Sequence, residues 1–310
     1  MRTDFTFDSC GAGKIHGCRW TPEGEIRGVF QIVHGIAEHV ERYDGFAHYL
    51  NERGILVVAE DHMGHGKSVG SDGTRGFFDG GWEAAVNDSC TLLKQTMAEF
   101  PGKPYVLFGH SMGSFLVRSM LILHPESGIS GAVICGTGWQ SGPVLKSGQA
   151  VAAAVAAAIG ERNPSVKLQN LMFSGYNSRV EHRRTDFDWL TRDDQVVDAY
   201  IADPMCGFVA SAGLLRDMLG GMAMNQKQKN LQRMKPDLPV LLVAGGEDPV
   251  GGYGKGVRQT EQHFRDAGMR DVTCRIFPLC RHEILNEINN LEIYGFLYDW
   301  ILKKIPDIQG

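Results

Sequence analysis

"YVLFGHSMGSFLVRSMLILHP", residues 105 to 125, reads as a short apolar strand, a turn and an apolar helix that ends at Pro125. Within it Gly109-His110-Ser111-Met112-Gly113 matches G-x-S-x-G, and a strand before and a helix after are the setting that motif requires. The requirement is steric. The serine sits on a sharp, strained turn, and only glycine at the flanking positions lets strand and helix approach so closely. Ser111 is therefore the candidate nucleophile.

A serine hydroxyl is inert at neutral pH without a base, and the base needs an acid to orient it. In the α/β-hydrolase order the acid and then the histidine follow the serine in sequence. That order disposes of most of the eleven histidines. Those before Ser111 come too early, His110 belongs to the turn itself, and His124 ends the apolar helix. His182 lies in the charged run "SRVEHRRTDFD", and His263 in "VRQTEQHFRDAG", an amphipathic surface helix. His282, in "PLCRHEILNE", comes directly after the last strand-like run and opens the last helix, where a loop can carry it over the serine. For the acid, "PVLLVAGGEDPVG" ends a buried strand in two glycines, followed by Glu247, Asp248 and Pro249. Adjacent side chains on a turn point different ways, so only one of the two carboxylates reaches His282. Asp248 precedes a proline that fixes the backbone and is preferred, with Glu247 as the alternative. Asp203, also before a proline, is expected to be structural.

Outward from this centre, short apolar runs alternate with helical patterns, the sign of a mostly parallel sheet covered on both faces. "DFTFDS" and "KIHGCRW", joined by Gly11-Ala12-Gly13, read as an opening antiparallel hairpin. "VFQIVHG", "ILVVAED", "YVLFGHS", "GAVICGT", "PVLLVAGGED" and "VTCRIFPL" complete eight strands. Helices are predicted near 43–53, 83–99, 112–123, 257–267 and 283–303. Between "GAVICGT" and "PVLLVAGG" lies about a hundred residues without a strand-like run, too long for a plain loop. It holds the alanine-rich "AVAAAVAAAIG" and a methionine-bearing apolar series, and residues 142–230 read as a helical cap inserted into a core of 1–141 and 231–310.

Composition sets the outer limits. The chain has 310 residues, 43% of them apolar and 22% charged, as in an ordinary globular protein. A net charge of -5 with no basic stripe argues against a nucleic-acid partner. "MRTDFTFDSCGAG" has an acid at Asp4 and no apolar core, unlike a secretory signal. The alanine-rich run is shorter than the roughly 18 residues that span a bilayer, and neither a lipid anchor nor a basic patch suggests stable membrane insertion. Seven cysteines without a C-x-x-C pair read as reduced, mostly buried thiols, so the expected location is the cytosol. No motif sets an oligomeric state.

Two histidine-rich stretches invite a metal reading. His34, Glu38 and His39 in "FQIVHGIAEHVERY" are spaced H-x-x-x-E-H, one residue longer than the inverted zinc-protease pattern, and Gly35 after an apolar run suits a strand leaving into a loop better than a helix. "DHMGHGKS" sets His62 and His65 beside Asp61. Neither is expected to bind metal, and no cofactor is expected.

With Ser111, Asp248 and His282 placed, the sequence resembles the α/β-hydrolase superfamily, and within it the monoacylglycerol lipase and lysophospholipase group of serine aminopeptidase-type hydrolases. "HGIAEHVERY", "DHMGHGKS", "GHSMGS", "GGEDPVG" and "RHEILNE" carry the resemblance in the expected order. "FDWLTRDDQVVDAYIADPMCGF" resembles bacterial members. The resemblance implies that the backbone N–H groups of Ile36 and Met112 form an oxyanion hole, and that "DHMGHGKS" is a structural loop. Missing "HGGPG" and "HGGG" motifs count against peptidase and carboxylesterase readings. Ile36-Ala37 is bulkier than the family norm, so a narrower mouth is expected. The implied activity is hydrolysis of carboxylic esters of monoacylglycerol or lysophospholipid type through an acyl-enzyme. The apolar pocket between cap and core is expected to be lined by Met112, Phe173, Met205, Phe208 and Met218. A fatty-acid amide hydrolase or a small-ester esterase would use the same triad. A receptor that binds a small molecule without turnover is the alternative from another class.

Overall fold

Five strands in this chain bury every residue: β3 (Gly28–Val33), β4 (Ile55–Glu60), β5 (Tyr105–His110), β6 (Gly131–Cys135) and β7 (Val240–Gly245). Runs such as Ile55-Leu-Val-Val and Val240-Leu-Leu-Val are apolar on both faces, the pattern of strands covered by helices on each side. A computed structural model describes residues 1–70 and 72–308. With β1 (Arg2–Asp8), β2 (Lys14–Trp20) and β8 (Val272–Phe277) the strands form one eight-stranded sheet in the order β1-β2-β4-β3-β5-β6-β7-β8. β2 is antiparallel to both β1 and β4, and the remaining pairs are parallel.

Register decides where the chemistry collects. Val33 pairs with Glu60 and with Gly109, His110 with Cys135, and Gly245 with Phe277, so the carboxyl ends of the parallel strands finish along one edge. The loops after β3, β5, β7 and β8 leave from that edge, where open α/β sheets carry their ligands. On one face α2 (Gly81–Glu99), α3 (Met112–Leu123) and α9 (Lys255–Asp266) bury Val86, Leu116 and Phe264. On the other, α1 (Asp44–Asn51) and α10 (Asn290–Lys304) bury Phe46, Leu50, Leu297 and Trp300.

From β6 to β7 the chain forms no named strand but five helices: α4 (Gly142–Ile159), α5 (Val166–Phe173), α6 (Asp194–Ala202), α7 (Ala212–Asn225) and α8 (Gln228–Leu231). α7 packs closely on the body of the protein, for Leu214, Leu215 and Met218 join the larger core cluster and a Cβ on Gly221 would sit 2.2 Å from the Trp82 ring. α4 differs from its sequence expectation. It extends beyond the alanine-rich run to 18 residues, long and apolar enough by length and composition to cross a membrane, with only 17% of them buried.

The last helix also departs from expectation, starting at Asn290 rather than 283. Glu283 and Glu287 are held by arginines from other parts of the chain, and between them runs only a 3-10 turn, Ile284–Asn286. These tethers keep the segment after β8 in the shape of a loop.

Candidate active site

The turn at Ser111 is made by crowding. β5 delivers the serine at φ 52°, ψ -120°, and α3 starts at the next residue. A Cβ on Gly109 would lie 2.4 Å from the Gly113 carbonyl oxygen, and one on Gly113 only 2.0 Å from that of Val33. Neither position accepts a side chain, and the strained serine backbone is held by this packing. The Ser111 N–H donates to Cys135 O at 3.0 Å, tying the turn to the end of β6.

Asp248 is fully buried on the turn after β7, and its Oδ1 lies 2.9 Å from His282 Nδ1. The neighbouring Glu247 is exposed, so the geometry selects Asp248 from the pair. The same Asp248 oxygen accepts the Val250 N–H at 2.9 Å, which orients it. The His282 ring lies against bare backbone, since a Cβ on Gly136 would come 3.0 Å from Cε1. With the Nδ1 proton given to the carboxylate, Nε2 carries the lone pair. That nitrogen is buried and has no hydrogen-bond partner among the described residues, and Ser111 and His282 line the same cavity.

The loop after β3 passes close to the serine, for a Cβ on Gly35 would lie 3.1 Å from Ser111 Cβ. Its next residue, Ile36, lines the cavity, and no backbone acceptor takes the Ile36 N–H among the described residues. Met112 opens α3, so its N–H has no partner within the helix. His34 shapes this loop: Nδ1 donates to Gly35 O at 2.7 Å and Nε2 accepts the His62 N–H at 3.0 Å. Both ring nitrogens are thus engaged with backbone. Burial, with His62 and His65 adding to it, holds the His34 imidazole well below its usual range, so it stays neutral. In "DHMGHGKS", Asp61 accepts the N–H groups of Val40 and Lys67, each at 2.9 Å, and His62 Nε2 donates to His34 O at 3.0 Å.

Glu38 is the hub of a buried network. Its Oε1 accepts from Gly35 N (2.6 Å), Tyr43 Oη (3.0 Å) and His110 Nδ1 (3.0 Å), while Arg42 reaches Oε2 at 2.9 Å. Arg42 also grips both Glu283 oxygens at 2.6 Å. Burial opposes charge on Glu38, but His110 and Arg42 outweigh it and hold the carboxyl well below the usual range. Burial likewise opposes protonation of His110, and the Glu38 hydrogen bond reverses that, leaving its pKa raised. The network fastens the loop bearing Ile36 to the loop bearing His282.

The cavity measures about 950 Å³. Phe173, Phe208 and Met218 stand in its wall with Met112. Met205 does not: it sits on the turn after α6, where Asp203 Oδ1 caps its N–H at 2.8 Å, and it is absent from the lining. Asn177, Ser178, Arg183 and Asp186 add polar groups to a lining that is otherwise largely apolar.

A profile of the family described as "Serine aminopeptidase, S33" matches residues 24–289. The chain belongs to this family of α/β-hydrolases. Its relatives place it among the esterases and lipases of that fold. A monoacylglycerol lipase of Mycolicibacterium smegmatis is 30% identical over 98% of both chains, and the monoglyceride lipase of Mus musculus is 28% identical over 90% of this chain and 86% of its own. Among solved structures, a thermostable carboxyl esterase from Bacillus coagulans in complex with glycerol superposes with a TM-score of 0.89 at 28% identity, covering 99% of this chain and 98% of that one.

Several residues of this α/β-hydrolase site are invisible to motif reading. The Trp189 ring lies 5.0 Å from that of His282, and the His282 and Glu283 N–H groups donate to the Trp189 and Leu190 carbonyls at 3.3 and 2.7 Å. Trp189 comes from an irregular stretch with no hydrophobic period. The Arg42–Glu283 pair spans the whole hydrolase core in sequence, and only charge complementarity between two quoted motifs hints at it.

Proposed function

We propose that the protein is a serine hydrolase that cleaves carboxylic esters of monoacylglycerol or lysophospholipid type through an acyl-enzyme on Ser111. One observation carries the reading: His282 is oriented by Asp248 at 2.9 Å, with Nε2 buried, unpaired and in the same cavity as a serine on a strained turn. His282 takes the Ser111 proton as Oγ attacks the acyl carbonyl. The N–H groups of Ile36 and Met112 receive the oxyanion, each donor of this kind being worth about 10²–10³ in rate. Asp248 holds the imidazole tautomer and stabilises its charge. The protonated His282 hands its proton to the departing alcohol. Water, deprotonated by His282, then attacks the acyl-enzyme and releases the acid.

Support for a lipid-like substrate is the volume and lining of the cavity. Its apolar lining suits an acyl chain, methionines adapt to chains of varied shape, and the polar side chains of Asn177, Ser178, Arg183 and Asp186 suit a hydroxylated or charged head group. Residues 142–230 act as a cap in this reading, supplying Phe173, Trp189, Phe208 and Met218 to the wall. The test is a panel of monoacylglycerols, lysophospholipids, acyl amides and aryl esters, run on wild type and Ser111→Ala. Activity that rises with acyl length and vanishes with the serine is expected. Equal rates across acyl lengths would remove the lipid reading, and full activity in Ser111→Ala would remove the nucleophile. A fluorophosphonate probe that fails to label Ser111 would favour a receptor without turnover.

A further inference from the structure

His39 has partners that its sequence neighbours do not suggest. Its Nε2 lies 2.8 Å from Asp203 Oδ2, and a ring nitrogen of His39, a carboxylate oxygen of Asp203 and Cys206 Sγ lie within 4.8 Å of one another. The turn Asp203-Pro204-Met205-Cys206 follows α6 and is closed by Cys206 N–H donating to Asp203 O at 3.0 Å. Asp203 spends Oδ1 on the Met205 N–H, which leaves Oδ2 for His39. The Cys206 thiol is buried and makes no hydrogen bond among the described residues. Arg42 is close but saturated by Glu38 and Glu283, so it does not neutralise Asp203 by direct contact.

We propose that His39, Asp203 and Cys206 form a site for a zinc-like divalent cation, joining the loop of Ile36 to the helical segment. The donor set is one imidazole, one carboxylate and one thiolate, which suits zinc rather than magnesium or calcium. Thiolate and carboxylate together carry the two negative charges that balance the ion. A tetrahedral zinc with bonds of about 2.0–2.3 Å keeps its donors roughly 3.3–3.8 Å apart, so the triad has to rearrange by about 1 Å. On binding, the Cys206 thiol loses its proton to solvent. The His39 proton moves to Nδ1, freeing the Nε2 lone pair, and the bond to Asp203 is replaced by two bonds to the ion. Access comes through Asp203, whose side chain is 29% exposed. The ion has no part in the hydrolytic chemistry. Its effect is mechanical, since Ala37, between Ile36 and this site, is already held by Gly207 N–H at 2.9 Å and Tyr200 Oη at 2.8 Å. Asp4, His16 and Cys18 form a second cluster of the same kind, but both His16 nitrogens are taken by carboxylates and Cys18 donates to Asp4.

The test uses tag-free full-length protein stripped with a chelator and titrated with Co²⁺, then Zn²⁺. One Co²⁺ per chain with thiolate-to-cobalt absorption is expected, displaced by one equivalent of Zn²⁺. Cys206→Ser abolishes the absorption, His39→Gln and the near-isosteric Asp203→Asn each weaken binding by about 10- to 100-fold or more, and Cys18→Ser changes neither. Circular dichroism of each metal-free variant checks that it is folded, and Asp203→Asn keeps the turn if another variant fails. No thiolate absorption in the wild type, its persistence in Cys206→Ser, or its loss in Cys18→Ser would overturn the site.

Discussion

At the scale of single residues, the choice between Glu247 and Asp248 shows what a sequence can and cannot settle. Order along the chain narrows the acid to two adjacent carboxylates, and the following proline favours one of them. Exposure then separates them physically: Asp248 is buried against His282 and Glu247 faces solvent. Asp248→Asn should lower kcat by about 10⁴, the size of effect seen when a triad acid is replaced by its amide and the histidine takes the wrong tautomer. Glu247→Gln should leave kcat within about twofold. Steady-state kinetics on one aryl ester decides it, and equal losses in the two variants would return the assignment to an open pair. Gly109 and Gly113 were legible for a different reason. Gly109 is constrained by Gly113 within the motif, whereas Gly113 is constrained by the Val33 carbonyl of the neighbouring strand, a contact the motif implies because it sets strand against helix.

At the scale of elements, the five central strands were readable because each apolar run is buried on both faces, whereas loops stabilised by distant partners were not. The segment after β8 reads as helix, yet Arg42 and Arg192 hold Glu283 and Glu287 in a loop instead. His34, His62 and His65 behind the Ile36 loop are another such case, read in sequence as possible ligands and found in the fold as buried rings bonded to backbone. Burial pushes His62 down to about 4 and His65 down to about 3, and His34 is lowered as well. The unfolded rings titrate near 6.5, so between 6.5 and 4 the unfolded chain binds more protons than the folded one. Their contribution to stability is complete above pH 6.5 and is lost as pH falls toward the folded values. His16 and His110, shifted upward, act the other way and only above pH 6.5. From pH 7 to 5 each lowered ring should remove roughly 1–2 kcal/mol of unfolding free energy, a loss offset in part by Glu60, whose carboxyl is pushed by burial up to about 8, so that over the same range the folded chain holds a proton the unfolded one lacks. Urea titrations at the two pH values measure it. His65→Gln should reduce the difference, and an unchanged difference would mean that the rings do not control the acid limb.

At the scale of the whole molecule, the helical segment is attached to the hydrolase core unevenly, and its motion should follow the attachment. The stretch that carries Trp189 is bound to the His282 loop: Arg281 donates to the Asp188 and Thr191 carbonyls at 2.6 and 2.8 Å, Arg192 holds Glu287, and α6 ends at the His39–Asp203 pair. α5 buries only Leu168, and α4 only Leu145, Ala152 and Ala156, although both present residues to the cavity. Elements with few buried contacts open at low free-energy cost. If substrate enters by displacement of α5 and of α4, which packs mainly on α7, the wall beside His282 stays fixed and orients the leaving group while α4 and α5 admit the acyl chain. Hydrogen exchange should therefore be faster in α4 and α5 than in residues 188–202. A long-chain alkyl fluorophosphonate on Ser111 should protect α4 and α5, and a methyl analogue should not. Slow exchange in α4 and α5 together with fast exchange at 188–202 would reverse this polarity and place the entrance on the side of the histidine.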